Sequence, residues 1–224
     1  MSNSSLTARD EARQNMVDNQ LRANKVQDDR LLDAFLRIDR ELFVPPELRG
    51  VAYIDEDLPV APGRYLMEPM VAARLLQALS AQPKDIVLVV GAGVGYEAAL
   101  LGLLARSVIA LEADPRLARI GRSALVDHRI ASVTYVEAPL NAGHRARAPY
   151  DVILFAGAVA AIPDEISAQL AEGGRMGAVV RDPGSPLGRA TLTTRTGAVL
   201  AQRVIFDAAT PLLPGFAAEP GFVF

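Results

Sequence analysis

From residue 85 to residue 180 short apolar runs alternate with amphipathic ones. "DIVLVV" from Asp85, "SVIALE" from Ser107, "SVTYVE" from Ser132, "YDVILFAG" from Tyr150 and "RMGAVV" from Arg175 have the length and β-branched content of buried strands. "YEAALLGLLA" from Tyr96 is apolar nearly all round, which predicts a buried helix. "DPRLARIGRSALV" from Asp114 predicts a helix with an aspartate cap and Pro115 at its first position. "PDEISAQLAEGG" from Pro163 is also read as a helix. Strands alternating with helices predict a parallel sheet covered on both faces. Beyond Gly184, "RATLTTRT" and "AVLAQRVIF" flank Gly197 and predict an antiparallel hairpin at the sheet edge. The tail "PLLPGFAAEPGFVF" reads as a proline-rich loop ending in apolar residues.

Upstream, Met16, Leu21, Leu31, Leu32, Phe35 and Ile38 recur at broadly helical spacing through residues 8–40. The double proline of "LFVPPELRG" ends that pattern. A loop is expected from Tyr53 to Arg64, and then "EPMVAARLLQAL" as a helix with Pro69 in its first turn. The fold class is α/β: a Rossmann-like, doubly wound, mostly parallel sheet, with an antiparallel hairpin at one edge and an N-terminal helical extension.

Composition narrows the function. Of 224 residues, 50% are apolar and 22% charged, which suits a globular chain with one sizeable core. A net charge of -3 with no basic stripe argues against a nucleic-acid partner. There is no cysteine, and His128 and His144 are the two histidines, so thiolate chemistry is excluded and no metal cluster is expected. The polar, acid-bearing N-terminus lacks the pattern of a secretory signal, and the apolar runs at 86–95 and 152–162 are too short to span a bilayer. The expectation is a cytoplasmic protein with no membrane partner.

The candidate chemistry sits in "VLVVGAGVGYE", residues 87–97. A glycine-rich turn between the first strand and its helix is where doubly wound sheets bind nucleotide-like ligands. Gly91, Gly93 and Gly95 are spaced G-x-G-x-G, with Tyr96 where a dinucleotide fingerprint has its third glycine, which weakens a pyrophosphate reading. Glu112 ends the second strand, about 20 residues past the first glycine, where an acid can take both hydroxyls of a ribose. Glu137 ends the third strand and can border an adenine. Tyr96 is placed either over the ligand or as a cap on the first helical turn. The bland alternatives are a tight strand–helix turn and strand-end acids in solvent. "YIDED", with three acids, reads as a solvated loop.

The segments "MVDNQLRANKVQDDRLLDAFLRIDRELFVP", "AYIDEDLPV", "VGAGVGYEAALL", "PYDVILFAGA" and "LAEGGRM" resemble the protein-L-isoaspartate O-methyltransferase family, from about Met16 to Val180. The resemblance implies S-adenosyl-L-methionine as cofactor, held by Gly91, Gly93, Gly95, Tyr96, Glu112, Ala113, Glu137 and Ala138. It implies methyl transfer to the free carboxylate of isoaspartyl residues in a protein or peptide. It divides the chain into residues 1–80, a helical extension with the substrate-side loop, and residues 81–224, the cofactor-binding domain with hairpin and tail. Three departures stand out. Val89 replaces an acid two residues before the first glycine; losing such a hydrogen-bonded charge costs roughly 1–3 kcal/mol of affinity. "YLMEP", residues 65–69, stands where the family has Thr-Ile-Ser-Gln-Pro, so Met67 replaces a serine whose hydroxyl is associated with catalysis. "EAPL" replaces a Gly-Asp-Gly turn after the third strand.

Arg64, Met67 and Glu68 are therefore the candidate catalytic residues, in an altered loop. Met67 reads as pocket lining. An ionised Glu68 repels a carboxylate and is better suited as a base toward a hydroxyl or amine; otherwise it is the acid at a helix N-terminus. Arg64 can pair with Glu68 or itself take a carboxylate. The alternatives to isoaspartyl methylation are a different acceptor, a small molecule included, or an inactive relative kept as a binding or assembly module.

Overall fold

The computed structural model describes residues 7–182 and 184–217. The chain opens with α1 (Ala8–Met16), capped by Thr7 and Asp10 in a reciprocal capping box. A π-helical stretch, Val17–Arg22, leads out of α1, and α2 (Asp29–Arg37) restarts on the Asp28 cap. The single helical pattern of residues 8–40 is thus two helices joined by a turn in which Lys25 has a φ of 66°. The segment expected as a loop from Tyr53 to Arg64 carries a small antiparallel hairpin, β1 (Leu58–Ala61) with β2 (Arg64–Leu66). Gly63, with a φ of 68°, supplies its turn. Helix α3 (Pro69–Leu79) follows with Pro69 at its start, as expected.

The remaining strands are β3 (Ile86–Val90), β4 (Ser107–Glu112), β5 (Val133–Glu137), β6 (Tyr150–Val159), β7 (Leu170–Val180), β8 (Gly188–Thr196) and β9 (Val199–Ala208). They form one sheet in the order β5-β4-β3-β6-β7-β8-β9, parallel from β5 to β7 and antiparallel through β8 and β9. Helices α4 (Tyr96–Leu104) and α5 (Pro115–Asp127) connect the central strands, on the predicted segments. The edge hairpin turns at Gly197, as the sequence predicts.

Side chains alternate across the sheet. Val87, Val89, Val108 and Ala110 join the core beneath α1–α5, while Leu88, Val90, Ile109 and Leu111 join a second, smaller core. The N-terminal helices contribute Met16, Leu21, Leu32 and Phe35 to the first of these, so the extension and the sheet share one core. The second core is covered by Ile166, Leu140 and, from the tail, Leu213 and Phe216.

One helix expectation is corrected. "PDEISAQLAEGG" holds a single turn, α6 (Asp164–Ser167), and β7 begins at Leu170. Adjacent glycines disfavour a helix, and Gly173 has a φ of 70°. Gln169 secures the break: its amide donates to the carbonyls of Ala142 and Glu165 (2.8 and 2.9 Å). Beyond β9, the tail runs beside the end of β6: Ala158 N–H donates to Pro211 O (2.9 Å) and Leu213 N–H to Ala158 O (2.8 Å). The apolar end of the tail, residues 218–224, lies outside the described residues. No helix among the described residues is long and apolar enough to cross a membrane.

Candidate active site

Register brings Gly91 and Glu112 together at the C-terminal edge of the sheet. Val90 pairs with Leu111, and the N–H groups of Gly91 and Ala92 both donate to Leu111 O at 3.0 Å. Gly91, Gly93 and Gly95 have φ values of 72°, 57° and 93°, a conformation that side-chain-bearing residues rarely adopt. The turn thereby aims backbone N–H groups across the strand ends and starts α4 at Tyr96.

Glu112 is fully buried. Its Oε1 accepts from Arg64 Nη1 (2.6 Å) and from the N–H groups of Ala113 and Asp114 (2.9 Å each). Its Oε2 accepts from Gly93 N–H (2.6 Å) and Arg64 Nη2 (2.8 Å). Arg64 Nη2 also donates to Gly91 O at 3.0 Å. Arg64 thus takes a carboxylate, that of Glu112, and does not pair with Glu68. A cavity of about 560 Å³ opens beside this cluster, lined by Pro62, Arg64, Glu112, Ala113, Asp114, Pro115, Arg116, Leu140 and Pro214. That volume is in the range of small-ligand sites.

Two residues that sequence reasoning missed brace the loop. Tyr135 O–H donates to Gly93 O at 3.2 Å. A Cβ on Gly95 or Gly121 would lie 2.2 or 1.9 Å from the Tyr135 hydroxyl, so both glycines make room for it. A glycine in the middle of the predicted α5 was the available signal. Leu213 is the second: its side chain comes within 2.9 Å of a Cβ built on Gly91 or on Gly157.

The acceptor side is different. Met67 is buried and lines a crevice of only about 10 Å³ with Gly63, Tyr65, Ala156, Gly157 and the 210–213 segment. Its carbonyl accepts from the fully buried Arg40 (2.7 Å). Glu68 stands half-buried at the start of α3. Burial, and then Asp55 and Asp57, push its pKa up to about 7. Asp57 accepts from Glu68 N–H (3.0 Å) and Asp55 from Met70 N–H (3.2 Å), so two acids of "YIDED" serve the first turn of α3 rather than solvent alone.

Tyr96 turns away from the cavity. Its ring is fully buried, edge-on to Phe35 and Phe43 with Arg40 stacked 4.9 Å above it, so it neither lies over a ligand nor caps the turn. Helical periodicity sends the first residue of α4 inward. Next to it, burial raises Glu97 to about 7, and its Oε1 has no partner among the described residues. Glu137 lies beside Glu112 in the register but is exposed and pairs with Arg122 at 2.7 Å. Ala138 N–H donates to Glu112 O (3.2 Å), which holds that turn against β4.

Comparison with known proteins fits this geometry. The sequence model described as protein-L-isoaspartate(D-aspartate) O-methyltransferase matches residues 11–192. The protein-L-isoaspartate O-methyltransferase of Koribacter versatilis is 40% identical over 195 residues, 87% of this chain and 86% of the relative. The chain belongs to this family. A relative of the same name from Aeropyrum pernix is 42% identical over 172 residues, 74% of this chain and 65% of its own. A solved protein-L-isoaspartate O-methyltransferase superposes with a TM-score of 0.78 at 23% identity, covering 92% of this chain and 66% of that one. Another, from Plasmodium falciparum and solved with S-adenosyl-L-homocysteine, gives 0.72 at 17%, covering 93% and 99%. The two structures share the fold.

S-adenosyl-L-methionine is the cofactor of the family, and the residues here fit it in part. A buried carboxylate at the end of β4, the glycine turn and the adjoining cavity suit its nucleoside. Past Gly91, the space is held by Arg64 and Leu213 of this chain.

Proposed function

We propose that the chain is an S-adenosyl-L-methionine-dependent methyltransferase that esterifies the carboxylate of isoaspartyl residues in proteins or peptides, in the cytoplasm. The observation that carries the reading is Glu112, buried at the strand end beside the glycine turn and facing a ligand-sized cavity. The bound cofactor supplies an electrophilic methyl group. In this reading Glu112 and the backbone of Gly91, Gly93 and Ala113 hold the nucleoside. Met67 and Tyr65 line the acceptor side. Glu68, with a pKa near 7, is partly neutral at physiological pH, and its neutral form meets a carboxylate without repulsion.

A second reading, transfer to an uncharged or cationic acceptor, is favoured by one observation. Glu68 stands among Asp55, Glu56 and Asp57, an acidic surround unlike a carboxylate receptor. Transfer of labelled methyl to an isoaspartyl peptide, against the same peptide with ordinary aspartate, separates the two. Label on the isoaspartyl peptide alone supports the first. Label on neither peptide but on a hydroxyl- or amine-bearing acceptor supports the second; label on none of them, from a protein that binds the cofactor, supports an inactive relative.

A further inference from the structure

We infer that Arg64 is an internal competitor for the cofactor, occupying the carboxylate that a ribose would otherwise engage. The inference rests on the proposed function, because it concerns the same site. A carboxylate offers about four lone-pair positions. Glu112 already receives five N–H donors, two of them from Arg64 in a bidentate pair. A ribose diol donates to those same oxygens, so it cannot engage them while the guanidinium stays.

The arrangement can open at limited cost. Without Arg64, Glu112 keeps the N–H groups of Gly93, Ala113 and Asp114 and is not left bare. Arg64 sits on β2, and the β1–β2 hairpin is a separate two-stranded sheet, joined by no ladder to the seven-stranded one. Pro62 and Arg64 form one wall of the 560 Å³ cavity, so the guanidinium leaves with the hairpin rather than into the space the nucleoside takes. Its Nε is buried and has no partner among the described residues, so the closed state leaves one donor unsatisfied. Leu213 completes the closure by lying against Gly91 and Gly157. Cofactor affinity is then lowered by the fraction of molecules that hold Arg64 in place.

The test is calorimetric titration of wild type and Arg64→Ala with S-adenosyl-L-homocysteine, each shown to be folded by circular dichroism. The variant is expected to bind about tenfold tighter or more. Equal or weaker binding by the variant overturns the competition while leaving the cofactor assignment intact. No binding by either folded protein overturns both. Hydrogen exchange on wild type serves if the variant does not fold. Ligand should then speed exchange at residues 58–66, as the hairpin releases; slower or unchanged exchange there overturns the inference.

Discussion

The two sides of the glycine turn hold acids in opposite circumstances. On the nucleoside side Glu112 is fully buried and meets five donors. On the acceptor side and beneath it, Glu68 and Glu97 are pushed up to about 7, each by burial first, and Glu97 leaves an oxygen without a partner among the described residues. Burial alone does not set a carboxylate's surroundings; the number of N–H donors aimed at it differs between the two sides. A strand end followed by a turn supplies N–H groups in a cluster. The helical first turn that carries Glu97 offers its side chain no such set.

The largest expected effect tests the satisfied side. Glu112→Gln removes the charge to which five N–H groups donate, three of them backbone groups of Gly93, Ala113 and Asp114 that stay in place, and should cost about 3 kcal/mol or more in urea unfolding. A loss under about 1 kcal/mol would mean that the Arg64–Glu112 pair is exposed in solution. The next effect tests the unsatisfied side. Glu97 holds its proton in the folded chain to about pH 7, whereas the unfolded chain releases it near the ordinary glutamate value of 4.5. Stability is therefore lost as pH rises through that window. Glu97→Gln should stabilise by up to about 3 kcal/mol at pH 8 and by nearly nothing at pH 4. Equal effects at both pH values would show that Glu97 is solvated.

A smaller change concerns the brace beneath the glycines. Gly121→Ala drives a methyl group into the Tyr135 hydroxyl, and about 1–3 kcal/mol of thermal stability should be lost. Unchanged stability would mean that Tyr135 moves freely. The subtlest effect is on rate. Methyl transfer to a carboxylate acceptor should fall as pH rises through about 7, when Glu68 ionises, and Glu68→Gln should flatten that limb. An unaltered profile would place Glu68 away from the acceptor.

Much of the architecture was legible because strands buried on both faces and helices with a proline start announce themselves locally. The glycine turn and Glu112 were legible too, since their places in a doubly wound sheet follow from chain order. The Arg64–Glu112 pair was not, because its members lie 48 residues apart and local patterns carry no tertiary register. Tyr96 was misread for a related reason: position beside a ligand turn says nothing about which way the helix faces. The short α6 failed where Gly173 and Gly174 overruled an otherwise helical composition.

The most direct test of the account is titration of the wild-type protein and of Glu112→Ala with S-adenosyl-L-homocysteine, with both confirmed as folded. Wild type should bind saturably and the variant not at all. Equal binding by the two would place the cofactor somewhere other than the cavity beside Glu112, and would contradict the site described above.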